Sequence, residues 1–312
     1  MNRFFGTIFL FLFFCLSGKG QQLTQYSQTV FNQFSLNPAT AGIKRCIDAN
    51  VSYRFQWIGI KGAPKSGYLS FSSGIKTKNK KYLGVKHGIG GIIERDDIGH
   101  FAQTSLNVAY SFQYNFTREL KLAFGLQMGV FIFEFRGNNA STIVSDPSLF
   151  GKSSKFYVPD AVFGVWLSGR NFYFGGTIRN LIRNKWKEIG YNSRMLMHYT
   201  INGGYNARFS NNEMSIVPSV LLRIPPKGPL TMEINVLYNF KNLFSVGLLY
   251  RSVDAFGAMF RFRFLNYMSI SYSFDFVTSK MGPKTAYTHE FGIGFSTCKS
   301  KSEDPSGCPT FE

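Results

Sequence analysis

Ala255-Phe-Gly-Ala-Met-Phe-Arg-Phe-Arg-Phe264 and, after a short turn at Leu265-Asn266, Met268-Ser-Ile-Ser-Tyr-Ser-Phe-Asp-Phe276 decide how the whole chain is read. Ala258, Phe260, Phe262 and Phe264 alternate with Met259, Arg261 and Arg263. Met268, Ile270, Tyr272, Phe274 and Phe276 alternate with Ser269, Ser271, Ser273 and Asp275. A period of two places each set on its own face of a pleated strand. One face is aromatic and aliphatic; the other carries serines, two arginines and an aspartate. A water-soluble sandwich would bury the apolar face as its core. A transmembrane barrel inverts this, turning the apolar face to lipid and the polar face to the lumen.

Composition narrows the choice. The 312 residues include 34 Phe, 31 Gly and 16 Tyr, and only 17% are charged. Ordinary globular chains carry more charge and far less Phe. The mixture is too apolar for disorder, and no internal apolar run is long enough for a spanning helix. A membrane β-barrel or a large β-sandwich remains.

The same alternation recurs elsewhere. Leu106, Val108, Tyr110, Phe112, Tyr114 and Phe116 oppose Asn107, Ser111, Gln113 and Asn115. Leu230, Met232, Ile234, Val236 and Tyr238 oppose Thr231, Glu233, Asn235 and Asn239. Near Val130–Phe135 the phase slips, as at a β-bulge or in a strand rising above lipid. Strands are expected at about 46–57, 66–77, 87–98, 101–117, 119–136, 159–169, 171–183, 195–210, 214–224, 229–240, 243–252, 255–264, 267–278 and 286–297. That is an all-β chain of about fourteen strands, an even number. Connector length sorts by parity from residue 117 onward. Arg118, Gly169-Arg170, Ser210–Glu213, Lys241-Asn242 and Leu265-Asn266 are tight, whereas Gly137–Val158 and Asn184–Arg194 are long. Short periplasmic turns with longer surface loops characterise outer-membrane barrels. Lys78–Lys86 is the exception, a longer and basic connector on the side of the tight turns. The expected fold is therefore a transmembrane antiparallel β-barrel at residues 46–297, in the outer membrane and in contact with its lipid.

Residues 1–20 form a separate unit. Arg3, the apolar run Phe4–Leu16 and the small residues Gly18 and Gly20 read as a secretory signal peptide cleaved before Gln21. Cys15 raises a lipoprotein alternative, but Phe13 and Phe14 stand where small residues are needed. Of the remaining cysteines, Cys46, Cys298 and Cys308, the last two flank a polar tail (298–312) and are spaced to close a small loop, with free thiols the alternative. The formal charge is +18, which for an exported chain means anionic lipid, cell-wall or protein neighbours. No nucleic-acid recognition module is present.

Residues that carry chemistry are sparse. His87, His100, His198 and His289 are scattered, without a pair at metal-ligand spacing, and no nucleophile elbow or phosphate-binding loop is found. The reading is non-enzymatic, with no cofactor and no metal. Gly88, Gly90 and Gly91 fit crowding inside a barrel better than a phosphate cradle. The charges Glu233, Arg261, Arg263, Asp275 and Glu290 are expected to point inward, since at mid-depth on a lipid face each would cost about 2–4 kcal/mol. They either pair across strands as a structural filling or set the selectivity of a pore.

Residues 21–45 lack any period but carry a motif: Gln25-Tyr26-Ser27, Phe31-Asn32, then Asn37-Pro38-Ala39-Thr40-Ala41-Gly42. Arg54, Gln56 and Trp57 follow, then Gly62-Ala63-Pro64, and the chain ends near Cys308-Pro309. Together these resemble the PorP/SprF family of type IX secretion membrane proteins from end to end, with Thr40 where an aromatic is usual. The resemblance implies a Bacteroidota outer-membrane barrel serving protein secretion and gliding motility. It implies export or cell-surface anchoring of a specific large, adhesin-like cargo, and contact with periplasmic or lipoprotein components. On physical grounds Asn-Pro followed by small residues is a turn. Gln25–Gly42 is therefore expected to pack against or into the periplasmic mouth, as a plug, as a partner-docking surface, or as both. A porin or a small-solute or lipid transporter is the alternative function.

Overall fold

The computed structural model describes residues 24–44, 46–76, 83–136, 153–186, 193–209, 214–241, 243–252, 254–265, 267–279 and 282–297. Fourteen wall strands are found among them: β1 Asp48–Phe55, β2 Lys65–Ile75, β3 Gly84–Ile98, β4 Phe101–Asn115, β5 Lys121–Arg136, β6 Ser153–Ser168 and β7 Phe172–Arg179, then β8 His198–Tyr205 with its continuation Ala207–Phe209, β9 Met214–Ile224, β10 Thr231–Phe240, β11 Phe244–Arg251, β12 Ala255–Phe264, β13 Met268–Val277 and β14 Thr288–Ser296. Each pairs antiparallel with its neighbours in sequence, and β1 pairs with β14, from Asp48 opposite Ser296 to Phe55 opposite His289. The ring is closed. Closure leaves no edge, which is what lets strands cross a membrane without unpaired backbone groups.

The lipid face is the one the alternation assigns. Val51, Leu69, Phe71, Leu106, Val108, Leu248, Phe260 and Ile293 stand exposed on the outside. His87 and His289 lie outside too, each bonded to a tyrosine hydroxyl, from Tyr110 at 2.6 Å and Tyr272 at 2.7 Å. The first and last residues of the wall, Asp48 and Ser296, share one rim with most of the tight turns, called here the turn end. The opposite rim is the loop end.

Two expectations change. Strand β6 begins at Ser153, six residues before the expected start, because Ser153–Val158 pairs with Phe131–Arg136. The β5–β6 loop is therefore 137–152. The phase slip at Val130–Phe135 is no bulge, since β5 stays in unbroken register with both β4 and β6. Instead the strand rises past the lipid. There its outward side chains become Glu134 and Arg136, joined by Arg95, Asp97 and Lys155 in ion pairs of 3.0–3.9 Å. Its inward side chains become aromatic: Phe131 packs with Val158 and Met195, flanked by Phe133 and Phe156. Apolar inside and charged outside is the pattern of a wall standing in water.

Residues 24–44 occupy the lumen, reaching deeper than the periplasmic mouth. Three short 3-10 turns, Gln28–Val30, Gln33–Ser35 and Pro38–Thr40, coil through the barrel. A ring of eight strands is just filled by its own side chains, and wider rings leave space. At fourteen strands that space is taken by the plug.

A buried ionic latch between the plug and the wall

The plug is held by three apolar patches and one ionic network. Tyr26, Phe34 and Ala41 pack with Tyr68, Ile92 and Ala109. Val30 and Phe31 pack with Val217, Leu237, Leu249 and Met259. Ala39 packs with Ala123, Trp166 and Tyr173. The lumen face is thus less polar than the expected run of Ser, Asn, Thr and Gly. It holds the hydrophobic core of the molecule.

The network gathers at the loop end around Ser27. Its hydroxyl donates to Asp275 at 2.6 Å and accepts from Arg54 at 2.8 Å and Arg251 at 3.1 Å. That uses the one proton and both lone pairs of the oxygen. The Ser27 N–H donates to Glu290 at 2.7 Å. Arg54 bridges Asp275 at 2.7 Å and Glu290 at 3.2 Å. Glu233 accepts from Arg251 at 3.1 Å and Arg223 at 3.0 Å. Arg54, Glu233, Arg251, Asp275 and Glu290 are each no more than 2% exposed. Three cations and three anions from six strands therefore meet in a buried site, with the partly exposed Asp254 adding a fourth carboxylate 3.3 Å from Arg251, and two of the cations and one carboxylate oxygen meet on one plug serine.

Of the residues expected to carry charge inside, Glu233, Asp275 and Glu290 belong to this network. Arg261 does not pair with Asp275. Register sets it opposite Ser271, four positions along β12 from the Gly257–Asp275 pair, and its guanidinium lies 4.5 Å from the Phe31 ring centre. Arg263 is half-buried near the turn end, its N–H donating to the Leu243 carbonyl. Arg223 and Arg251 escaped the sequence reading. Each follows a run of apolar residues at a strand's loop end, where the next inward position was the only signal.

The motif residues line up inside. Gln25 is half-buried, and Tyr26, Ser27, Phe31, Asn32, Asn37, Pro38, Ala39, Ala41 and Gly42 are buried. Asn32 donates to Ser70 at 2.8 Å. Asn37 accepts from the Ala39 N–H at 3.0 Å and donates to the carbonyls of Val165 at 2.9 Å and Gly176 at 3.2 Å. The Ala41 carbonyl accepts from Ser111 at 2.6 Å and Gln113 at 2.8 Å. Gln56 and Trp57 are half-buried just beyond β1, where the Trp57 N–H donates to Thr288 at 3.2 Å. Cys46 is disulfide-bonded. Cys298 and Cys308, with most of the basic stretch from Lys78, lie outside the described residues.

Wall glycines make room. A Cβ on Gly88 would strike the Ala41 carbonyl, one on Gly125 the Ala39 backbone, and one on Gly164 the Asn37 side chain. Gly164→Val is expected to leave the barrel closed but loosen the plug, at a cost of about 1–3 kcal/mol for overpacking. Gly176, whose Cβ would meet nothing within 4 Å, is the control: Gly176→Ala should change nothing. Limited proteolysis in detergent reads this as faster cleavage within 24–42 for Gly164→Val alone.

Geometry and surface together define a class: an outer-membrane β-barrel whose lumen is filled by its own N-terminal segment. The family follows from residues 18–295, which match the type IX secretion system membrane protein PorP/SprF. The chain belongs to that family. No curated protein matches it. Solved structures similar to it include a Pseudomonas aeruginosa FadL homologue, at 12% identity and TM-score 0.48 over 89% of this chain and 94% of that one. Another is the Pseudomonas putida toluene transporter TodX, at 10% identity and TM-score 0.47 over 90% of this chain and 95% of that one.

Proposed function

We propose that the chain is a sealed, non-enzymatic component of the type IX machinery that supports export or surface attachment of one large, adhesin-like secreted protein. The observation that carries this reading is the filled lumen. A polypeptide or a solute would have to displace a segment tied to the wall by a buried ionic network, so the barrel suits a membrane-held platform better than a conduit. Secreted cargo would meet the loop end, including 137–152 and 184–194. Periplasmic or lipoprotein components of the machinery would meet the turn end. The rival reading, a porin or small-solute transporter, requires the plug to move.

A deletion strain tests the proposal by comparison of cell-surface and culture-fluid proteins. One large protein should vanish from the surface while general secretion continues. Loss of every secreted protein would overturn the dedicated role in favour of a core one. An unchanged surface with altered uptake of a small solute would overturn the platform altogether.

A further inference from the structure

The plug does more than fill space; it has a direction. Gly42 lies against Ser73 and Gly74, near the turn end of β2. Ala41 is held by Ser111 and Gln113 in the turn-end part of β4. Asn37 reaches Val165 in the turn-end part of β6 and Gly176 midway along β7. Ser27 sits at Arg54, Asp275 and Glu290, within about two residues of the loop ends of β1, β13 and β14. Tyr26 then packs edge-on against Tyr68, at 4.9 Å between ring centres, near the loop end of β2. Thr24 lines a small cavity of about 30 Å³ with Glu94, Arg179, Thr200 and Arg223, all in the loop-end parts of their strands. Residues 42 to 24 thus cross the whole barrel from one rim to the other. A wall residue from each of the fourteen strands lies against them on the way.

We propose that the chain threads its own barrel, so that Thr24 lies at the outer mouth while Thr297 lies at the periplasmic rim. The orientation comes from the rims. The turn end carries the first and last wall residues, Asp48 and Ser296, and mostly tight connectors, as the periplasmic side does, whereas the loop end carries the two longest connectors, 137–152 and 180–197, beside short ones at 99–100 and 252–254. The loop-end wall of β3 to β6, charged on its outward face, stands in water beyond the lipid, as a surface structure would. Two consequences follow. Thr24 shares the outer mouth with the surface loops and becomes part of what a secreted partner meets. A leader still held at the inner membrane would tether the segment on the wrong side, so its removal has to precede seating of the plug.

Site-directed labelling tests the topology without reference to secretion. Thr24→Cys is placed at the outer cavity and Lys76→Cys just past the turn end of β2, with the wild-type chain as the cysteine background. A membrane-impermeant maleimide on intact cells should label Thr24→Cys, and should label Lys76→Cys only after the outer membrane is permeabilised. A second chain carries a short epitope after Gln22, with folding checked by its heat-modifiable gel mobility. Antibody should bind this epitope on intact cells but reach one placed after Glu312 only after permeabilisation. Protection of the Gln22 epitope and of Thr24→Cys on intact cells would overturn the proposal, as would surface labelling of Lys76→Cys.

Discussion

Deletion of residues 24–42 is expected to turn a silent barrel into a conducting one. A fourteen-strand ring is too wide for its own side chains to fill, and the wall left behind is wettable. Ser70, Ser111, Gln113, Asn202 and Asn235 all line the space the plug occupies. The intact chain in a planar bilayer should therefore show no sustained current, and the deleted chain, refolded in detergent, should give long-lived open steps. Sustained conductance through the intact chain would remove the main support for the platform reading. A deletion variant that folds yet stays closed would show that the wall collapses inward, contrary to the close fit of the wall glycines.

The second large effect is expected from Arg54→Ala. This guanidinium serves Asp275, Glu290 and the Ser27 hydroxyl at 2.7–3.2 Å, in a site where all of them are buried. Its loss leaves two carboxylates short of a partner out of reach of water. Breaking a buried pair from one side costs about 3–5 kcal/mol, most of it the stranded charge rather than the lost bond. Arg251 still reaches Asp275, but only at 3.5 Å. The expected result is a large drop in the denaturant midpoint of the detergent-solubilised protein, together with brief channel openings as the plug loosens. A change below ~1 kcal/mol would mean that water enters the latch and that the network is not dry.

Much of this architecture could be read in the amino-acid order, for a physical reason. Lipid on one side and packed polar groups on the other impose a strict period of two, so β9 and β12 were located to the residue. The start of β6 was not. At Ser153-Ser-Lys the strand stands above the lipid, its faces exchange character, and the alternation no longer says which side is which. The plug resisted reading for a different reason. Its coil has no period, and the burial of Ser27, Gln28, Asn32 and Asn37 makes sense only once a ring of strands supplies their partners. Composition alone would place such residues on a surface. Arg54 was visible only as part of a family motif; its three partners lie 27, 221 and 236 positions away along the chain.

Those separations impose an order on folding. The Ser27 N–H finds its acceptor 263 residues later, on the last strand. Contacts this distant in sequence close slowly, because chain entropy is lost before they form. Until β14 arrives, the three acidic groups of the latch and their arginines have no settled neutral arrangement, and the first ordered residues of the chain have nothing to hold. Completion of the wall and seating of the plug thus become one event. Assembly acquires a built-in proofreading step: a chain truncated before Glu290 lacks the clasp that keeps its own beginning in place.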